Sequence, residues 1–277
     1  MINAGVIAID DPLDPRIDVF QGLRDKALRQ KRESLGGDMQ GVFIAEGDLV
    51  INRALTSGYV LHSVLIDAAR KQPLPENFRQ VDVYSAGPAV LQHIAGFHSY
   101  RGAIGCFHRR EVPTMKNVIE TISFRTFAII EGVNNPNNLG TIMRYAAALD
   151  VDALLLSSSS CDPLSRRCCR VSMGEAFALP YAWFEDTVTG LKQIKAAGIK
   201  VVAMTPAENS LDLSSMKVLT PERVGIMLGA EGPGLSEDAL TMADQRVVIP
   251  MSRSVDSINV GGAAAIAFFA VQQARRT

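Results

Sequence analysis

The chain has no excess of positive charge. Its 277 residues carry 28 Lys and Arg against 29 Asp and Glu, a formal net charge of −1. That balance removes any global attraction to nucleic acid and confines such a contact to local basic patches. Long apolar runs are lacking too. The longest, Ile258 to Val271, is broken by Gly261 and Gly262 and falls short of the roughly 20 residues that span a bilayer. Residues Met1 to Arg16 include Asp10, Asp11 and Asp14 and have no basic stretch ahead of an apolar core, so they do not read as a secretion signal. A cytoplasmic protein is expected. The cysteines, Cys106, Cys161, Cys168 and Cys169, show no CxxC spacing and have no histidine close in sequence. No metal is therefore expected, and the adjacent Cys168 and Cys169 read as ordinary reduced thiols. A GxGxxG fingerprint follows the first strand of neither half, which argues against a Rossmann-type dehydrogenase.

What is present suits a well-cored protein. Hydrophobic residues make up 47% and charged residues 21%, ordinary for a globular chain, and the length allows two domains. In the first half, the apolar run Val42 to Ala45 precedes a helical stretch from Asp48 to Ser57 closed by Gly58. Strand-like Ser63 to Ile66 and Val81 to Val83, helical Pro88 to Ile94 and strand-like Ala103 to Phe107 follow. This alternation predicts a small α/β domain. Residues 17 to 35 mix leucines with Arg24, Lys26, Arg29, Lys31 and Arg32, an amphipathic helix whose basic face is either solvated surface or a phosphate-binding face. Periodicity lapses between His108 and Thr126, where Pro113 interrupts. A linker with a short helix is expected there, dividing the chain into domains 1–112 and 113–277.

The second half reads as strands Phe127 to Glu131, Ala153 to Ser157, Lys200 to Met204, Val224 to Leu228 and Arg246 to Ile249, joined by helices. The helices are placed at Leu139 to Ala148, Thr187 to Ala197, Ser236 to Met242 and Ser257 to Arg275, with Ser236 and Ser257 as N-caps. Short apolar strands joined by helices predict a parallel sheet covered on both faces. Three polar, mostly glycine-containing segments follow strands: Asn135 to Arg144, Leu228 to Ser236, and Ile249 to Ser252 running into Asp256 to Val260. Their loops would converge where parallel sheets bind ligands. Asn138 lies near a helix N-terminus with Arg144 further along, a pairing that reads either as cap and surface cation or as a phosphate grip. Gly229, Gly232 and Gly234 surround Glu231, so backbone can approach a ligand closely there. Arg166, Arg167 and Arg170 form a basic cluster after Asp162-Pro163-Leu164, which is either solvated or a phosphate track. His62, His93, His98 and His108 all lie in the first half, away from these segments.

The three segments resemble, in order, the signature motifs of the SpoU (TrmH) group of SPOUT methyltransferases, and Val171-Ser172-Met173-Gly174 is a further shared element. The resemblance spans about residues 127 to 275, and the segment Phe43-Ile44-Ala45-Glu46-Gly47 is similar to the L30e-like substrate-binding domain that precedes many such catalytic domains. It implies an α/β fold with a trefoil knot in the C-terminal sheet, a homodimer, and methyl transfer from S-adenosylmethionine to a ribose 2'-hydroxyl of ribosomal or transfer RNA. By the same resemblance Asn138, Arg144, Glu231, Ser257 and Asn259 are expected to be catalytic. Leu228, Gly229, Gly232, Ile249, Met251 and Ile258 are expected at the cofactor, and Arg24, Lys31, Arg32, Arg166, Arg167 and Arg170 at RNA. One departure stands out: Arg253 occupies a position where many relatives have glycine, so cofactor affinity is open there. The rival from another class is a non-catalytic RNA-binding protein that retains the fold.

Overall fold

A computed structural model describes residues 5–23, 31–33, 36–95, 102–207, 209–214, 222–252 and 255–276. It divides into two units, residues 1–110 with 164–174, and residues 111–163 with 175–277. The division falls at Arg110/Glu111, and the segment 164–174, expected in the second domain, belongs with the first.

The first unit is built on β1 (Ile7–Ile9), β2 (Val42–Glu46), β3 (Leu61–Asp67), β4 (Asp82–Ala86) and β5 (Ala103–His108), with helices α1 (Asp48–Thr56) and α2 (Pro88–Ala95). The strand order is β1-β4-β3-β5-β2. Pairing is parallel from β1 through β4 to β3 and antiparallel where β5 meets β3 and β2. Ile9, Ile17, Phe20, Leu65, Leu91, Ile94 and Ile104 are among the apolar side chains that fill one core on this sheet. β1 is not evident in the sequence because three residues are too few to show a period. Pro15–Phe20 forms a 3-10 helix that overlaps only the start of the expected amphipathic segment, residues 17 to 35. Arg24, Lys26 and Arg29 of that segment lie outside the described residues, as do His98 and Arg253.

The second unit opens with α3 (Met115–Ile119), the short helix expected in the linker. Then come β6 (Thr126–Ile130), α4 (Pro136–Ala148), β7 (Ala153–Ser157), α5 (Arg166–Val171, counted with the first unit) and β8 (Tyr181–Phe184). They are followed by α6 (Thr187–Ala196), β9 (Lys200–Met204), β10 (Leu211–Asp212), β11 (Val224–Leu228), α7 (Glu237–Met242), β12 (Gln245–Val248) and α8 (Val260–Arg276). All seven strands are parallel, in the order β10-β12-β9-β11-β6-β7-β8. Every residue of β6, β7 and β11 is buried, as a parallel sheet covered on both faces requires. The chain leaves β6 toward β7 and β8, then returns on the other side of β6 through β9 and β11. This reversal is the kind of switch point at which open parallel sheets bind ligands.

Helix ends follow local chemistry. Asn135 caps α4 by accepting the Asn137 N–H, with Pro136 in the first turn. Ser236 caps α7 by accepting the Ala239 N–H at 3.1 Å. The expected cap at Ser257 is not found, because α8 begins at Val260 and the Asn259 side chain accepts the Gly261 N–H at 2.8 Å. An Asn closer to the helical run takes the role that spacing alone assigns to a Ser.

Candidate active site

The motif segments meet at one hydrogen-bonded relay. Asn138 lies inside α4, 6% exposed, so it is not the cap of that helix. Its Nδ2 donates to Glu231 Oε2 at 2.9 Å, and its Oδ1 accepts from Asn259 Nδ2 at 3.0 Å. Asn259 Oδ1 in turn accepts the Gly261 N–H that starts α8. One buried amide thus joins the loops after β6, β11 and β12, and hydrogen bonds linked in this way polarise and strengthen one another. Helix α8 packs on α4 at small residues: a Cβ on Gly261 would lie 2.7 Å from Thr141 Cγ2. The relay spacing therefore depends on a glycine.

Beside the relay an open cleft is lined by Leu228, Gly229, Ile249, Met251, Ser257 and Ile258, among others. Five of the six expected cofactor residues line it. Gly232 does not; it stands exposed on its loop with φ +96°. Met204, Thr205 and Pro206, which follow β9, form a further wall. They are absent from the expected set, although a Thr-Pro step directly after an apolar strand was the available signal. The Gly229 to Leu235 loop folds back on itself through mutual Ala230 and Gly234 main-chain hydrogen bonds of 3.1 Å. A Cβ on Gly229 would come within 2.3 Å of the Gly234 carbonyl carbon, so only glycine allows this closure.

The other expected residues are placed differently. Arg144 is exposed on α4 and, among the described residues, forms no ion pair or hydrogen bond; it does not join the relay. Six residues beyond Asn138, it points about 120° away around the helix. Glu231 and Ser257 are solvent-facing. Arg166 belongs to the first unit, where its Nε and Nη2 donate to Glu46 Oε2 at 3.0 and 2.9 Å and its Nη1 to the Leu23 carbonyl at 2.7 Å. Arg170 approaches the same oxygen at 3.6 Å. Glu46 is 5% exposed. These arginines neutralise a buried carboxylate, so Arg166 is a fastening of the segment rather than a side chain presented to a ligand. Arg32 is similarly held between Asp18 and Asp38 at 2.6 and 2.7 Å. Lys31 and Arg167 are exposed, and Arg24 lies outside the described residues. Among the described residues no helix is long and apolar enough to cross a membrane, and no group of three or more His, Cys, Asp or Glu could hold a metal ion.

The SpoU rRNA Methylase family pattern matches residues 125–269, the stretch that contains the relay and the cleft. The chain belongs to this family. It is 40% identical over 262 residues to an uncharacterized tRNA/rRNA methyltransferase of Mycobacterium bovis, covering 94% of this chain and 89% of that one. Among solved structures it resembles an AdoMet-bound rRNA methyltransferase from Sinorhizobium meliloti, with TM-score 0.80, 25% identity and coverage of 97% and 98%. It also resembles a structure described as an RNA 2'-O ribose methyltransferase, with TM-score 0.74, 26% identity and coverage of 98% and 100%. The SpoU family chain has its matched region centred on the parallel sheet whose loops carry Asn138, Glu231 and Asn259.

Proposed function

We propose that this SpoU family chain transfers a methyl group from S-adenosylmethionine to a ribose 2'-hydroxyl of ribosomal or transfer RNA. The observation that carries the reading is the Glu231–Asn138–Asn259 relay standing beside the apolar cleft. The cleft suits the cofactor in chemistry: Leu228, Ile249, Met251 and Ile258 offer apolar faces to a purine, and Gly229 leaves bare backbone beside them. When bound, S-adenosylmethionine supplies a methyl group on a positively charged sulfur. The chain's own residues then have to orient the hydroxyl and manage its charge. The relay holds Glu231 and Asn259 at fixed spacing, and Ser257 is a polar group at the cleft wall.

Arg144 is an unsuitable general base, because a guanidinium with a pKa above about 12 keeps its proton. Its role in this reading is to hold an RNA phosphate and stabilise the oxyanion that develops at the ribose, the proton leaving late to phosphate or water. In this reading the exposed Lys31, Arg167 and Arg170 of the first unit meet RNA, Arg170 while also lying 3.6 Å from Glu46 Oε2. Mass spectrometry of nucleosides after incubation with ribosomal and transfer RNA tests the activity. A 2'-O-methylnucleoside made by the wild type and reduced at least about a hundredfold in Arg144→Ala is expected. A base-methylated product would displace the ribose assignment. RNA binding without any transfer would favour the non-catalytic alternative.

The reading includes a homodimer. The small residues of α8, Gly261, Ala264 and Ala267, are buried, with Gly261 tight against α4 of the same chain, so they face the protein's own interior rather than a partner. Ile266 and Phe269 instead present 42% and 53% of their surface to solvent one helical turn apart. A second copy is the proposed cover for them. Light scattering is expected to give about twice the 29.9 kDa chain mass, and Phe269→Asp to give a monomer with lowered transfer. A fully active wild-type monomer would sink the dimer.

A further inference from the structure

The loop that carries Glu231 leaves β11 at Leu228 and ends at Ser236, the cap of α7. Both of its ends are held by one residue that lies outside the cleft. The Glu131 N–H, immediately after β6, donates to the Leu228 carbonyl at 2.9 Å. Glu131 Oε2 accepts the Ser236 N–H at 2.9 Å, and Oε1 accepts the hydroxyls of Ser236 at 2.8 Å and Thr187 at 2.9 Å. The side chain is almost closed off from water, with the residue 9% exposed. Its charge is met by three donors, as a buried carboxylate requires. The next residue, Gly132, turns with φ +67° and sits against Ala230, so the chain after the clamp also supports the loop.

We infer that Glu131 is a positioning residue for the methyl-transfer site: it touches no ligand, but it fixes the distance between Leu228 and Ser236 and thereby the loop that lines the cleft and brings Glu231 to Asn138. The inference rests on the proposed function for its binding arm only. Its structural arm stands on the loop itself.

The test uses full-length Glu131→Ala and Glu131→Gln, compared with wild type by amide hydrogen exchange and by calorimetric titration with S-adenosylmethionine. Glutamine can rebuild the clamp without charge. Its carbonyl accepts the Ser236 N–H, and its amide donates to the two hydroxyls, which rotate to accept. Alanine cannot. We expect exchange of amides 229–236 to quicken at least about tenfold in the alanine variant and to stay within about threefold in the glutamine variant. Amides 127–130 of the neighbouring strand should be unchanged in both. Cofactor affinity should fall about tenfold with alanine and return with glutamine. Loop exchange unaltered by alanine, acceleration spread evenly over the whole unit, or a glutamine variant as loose as alanine would each overturn the inference. If alanine does not fold, Glu131→Asp, which is too short to reach Ser236 and Thr187 together, takes its place with the same expectations. Wild type that fails to bind S-adenosylmethionine would sink the proposed function, and loop exchange alone would then decide the clamp.

Discussion

Asn138 uses both ends of its amide, giving a hydrogen to Glu231 and taking one from Asn259. Asn138→Asp keeps the shape but sets a second carboxylate against Glu231 Oε2, where the donor distance is now 2.9 Å. Transfer activity is expected to drop about a hundredfold. Stability should fall by about 1–3 kcal/mol, because one donor is lost and like charges face each other. Activity within a few-fold of wild type would show that the relay is ornamental to the chemistry. His62 stands edge-on to a second histidine, His108. Its pKa is lowered from 6.5, chiefly because its ring is partly withdrawn from water and secondarily because His108 stands 5.2 Å away, with Asp82 acting in the opposite direction. A depressed folded value means that the neutral ring contributes stability above the unfolded pKa, lost as pH falls through the folded one. An NMR titration should find His62 below 6.5; a midpoint at or above that value sinks the expectation. The sequence singles out Asn138, Glu231 and Asn259 but cannot show that they touch, since Glu231 and Asn259 lie 93 and 121 residues from Asn138 along the chain. Glu131 is legible only as the end of a strand, because nothing local marks its partners Ser236 and Thr187.

Among the elements, strands with strong apolar character are legible to their ends: Ala153–Ser157, Lys200–Met204 and Val224–Leu228. Tyr181–Phe184 is not, because four residues at an edge of the sheet are too few to carry a pattern. The start of α8 differs from expectation because cap chemistry cannot rank Ser257 against Asn259 without the tertiary partner that orders the latter. The loop after β11 is legible as a close-approach site from its glycines, and the structure assigns them different duties. Gly234 takes φ +74°, whereas Gly229 needs space. Gly229→Ala would place a methyl 2.3 Å from the Gly234 carbonyl carbon and 2.4 Å from the Leu235 nitrogen, both backbone atoms that cannot swing aside. The loop would have to open. Affinity for S-adenosylmethionine is expected to fall at least about tenfold, with unfolding shifted by about 1–3 kcal/mol for the overpacking. Calorimetry beside thermal unfolding separates the two, and unchanged affinity in a folded variant would remove Gly229 from the site.

Across the whole molecule, the least legible feature is the segment 164–174, which the chain contributes between β7 and β8 but which clusters with the first unit. It is fastened at both ends. Arg166 grips Glu46 and the Leu23 carbonyl, and Arg53 donates to the Met173 carbonyl at 2.7 Å. Met173 itself sits at φ +59°, a conformation that a non-glycine residue adopts only when its surroundings impose it. Spacings of 120 residues between partners leave no trace in the sequence beyond a cluster of three arginines, which there reads as solvated or as a phosphate track. A fragment of residues 115–277 keeps every residue that lines the cleft, so it should still bind S-adenosylmethionine. It loses Glu46, Leu23 and Arg53, and with them the fastenings of this segment. Cys168 and Cys169, fully buried in the whole chain, report on the loss. Buried thiols are inert to alkylating reagents and become reactive on exposure. In the native full-length protein both should resist labelling, and in the fragment both should label at rates near those of a free thiol while cofactor affinity stays within a few-fold. A fragment that protects these thiols as well as the full chain does would mean that the segment is held by its own half, and the Glu46 and Arg53 contacts would then be incidental to its placement.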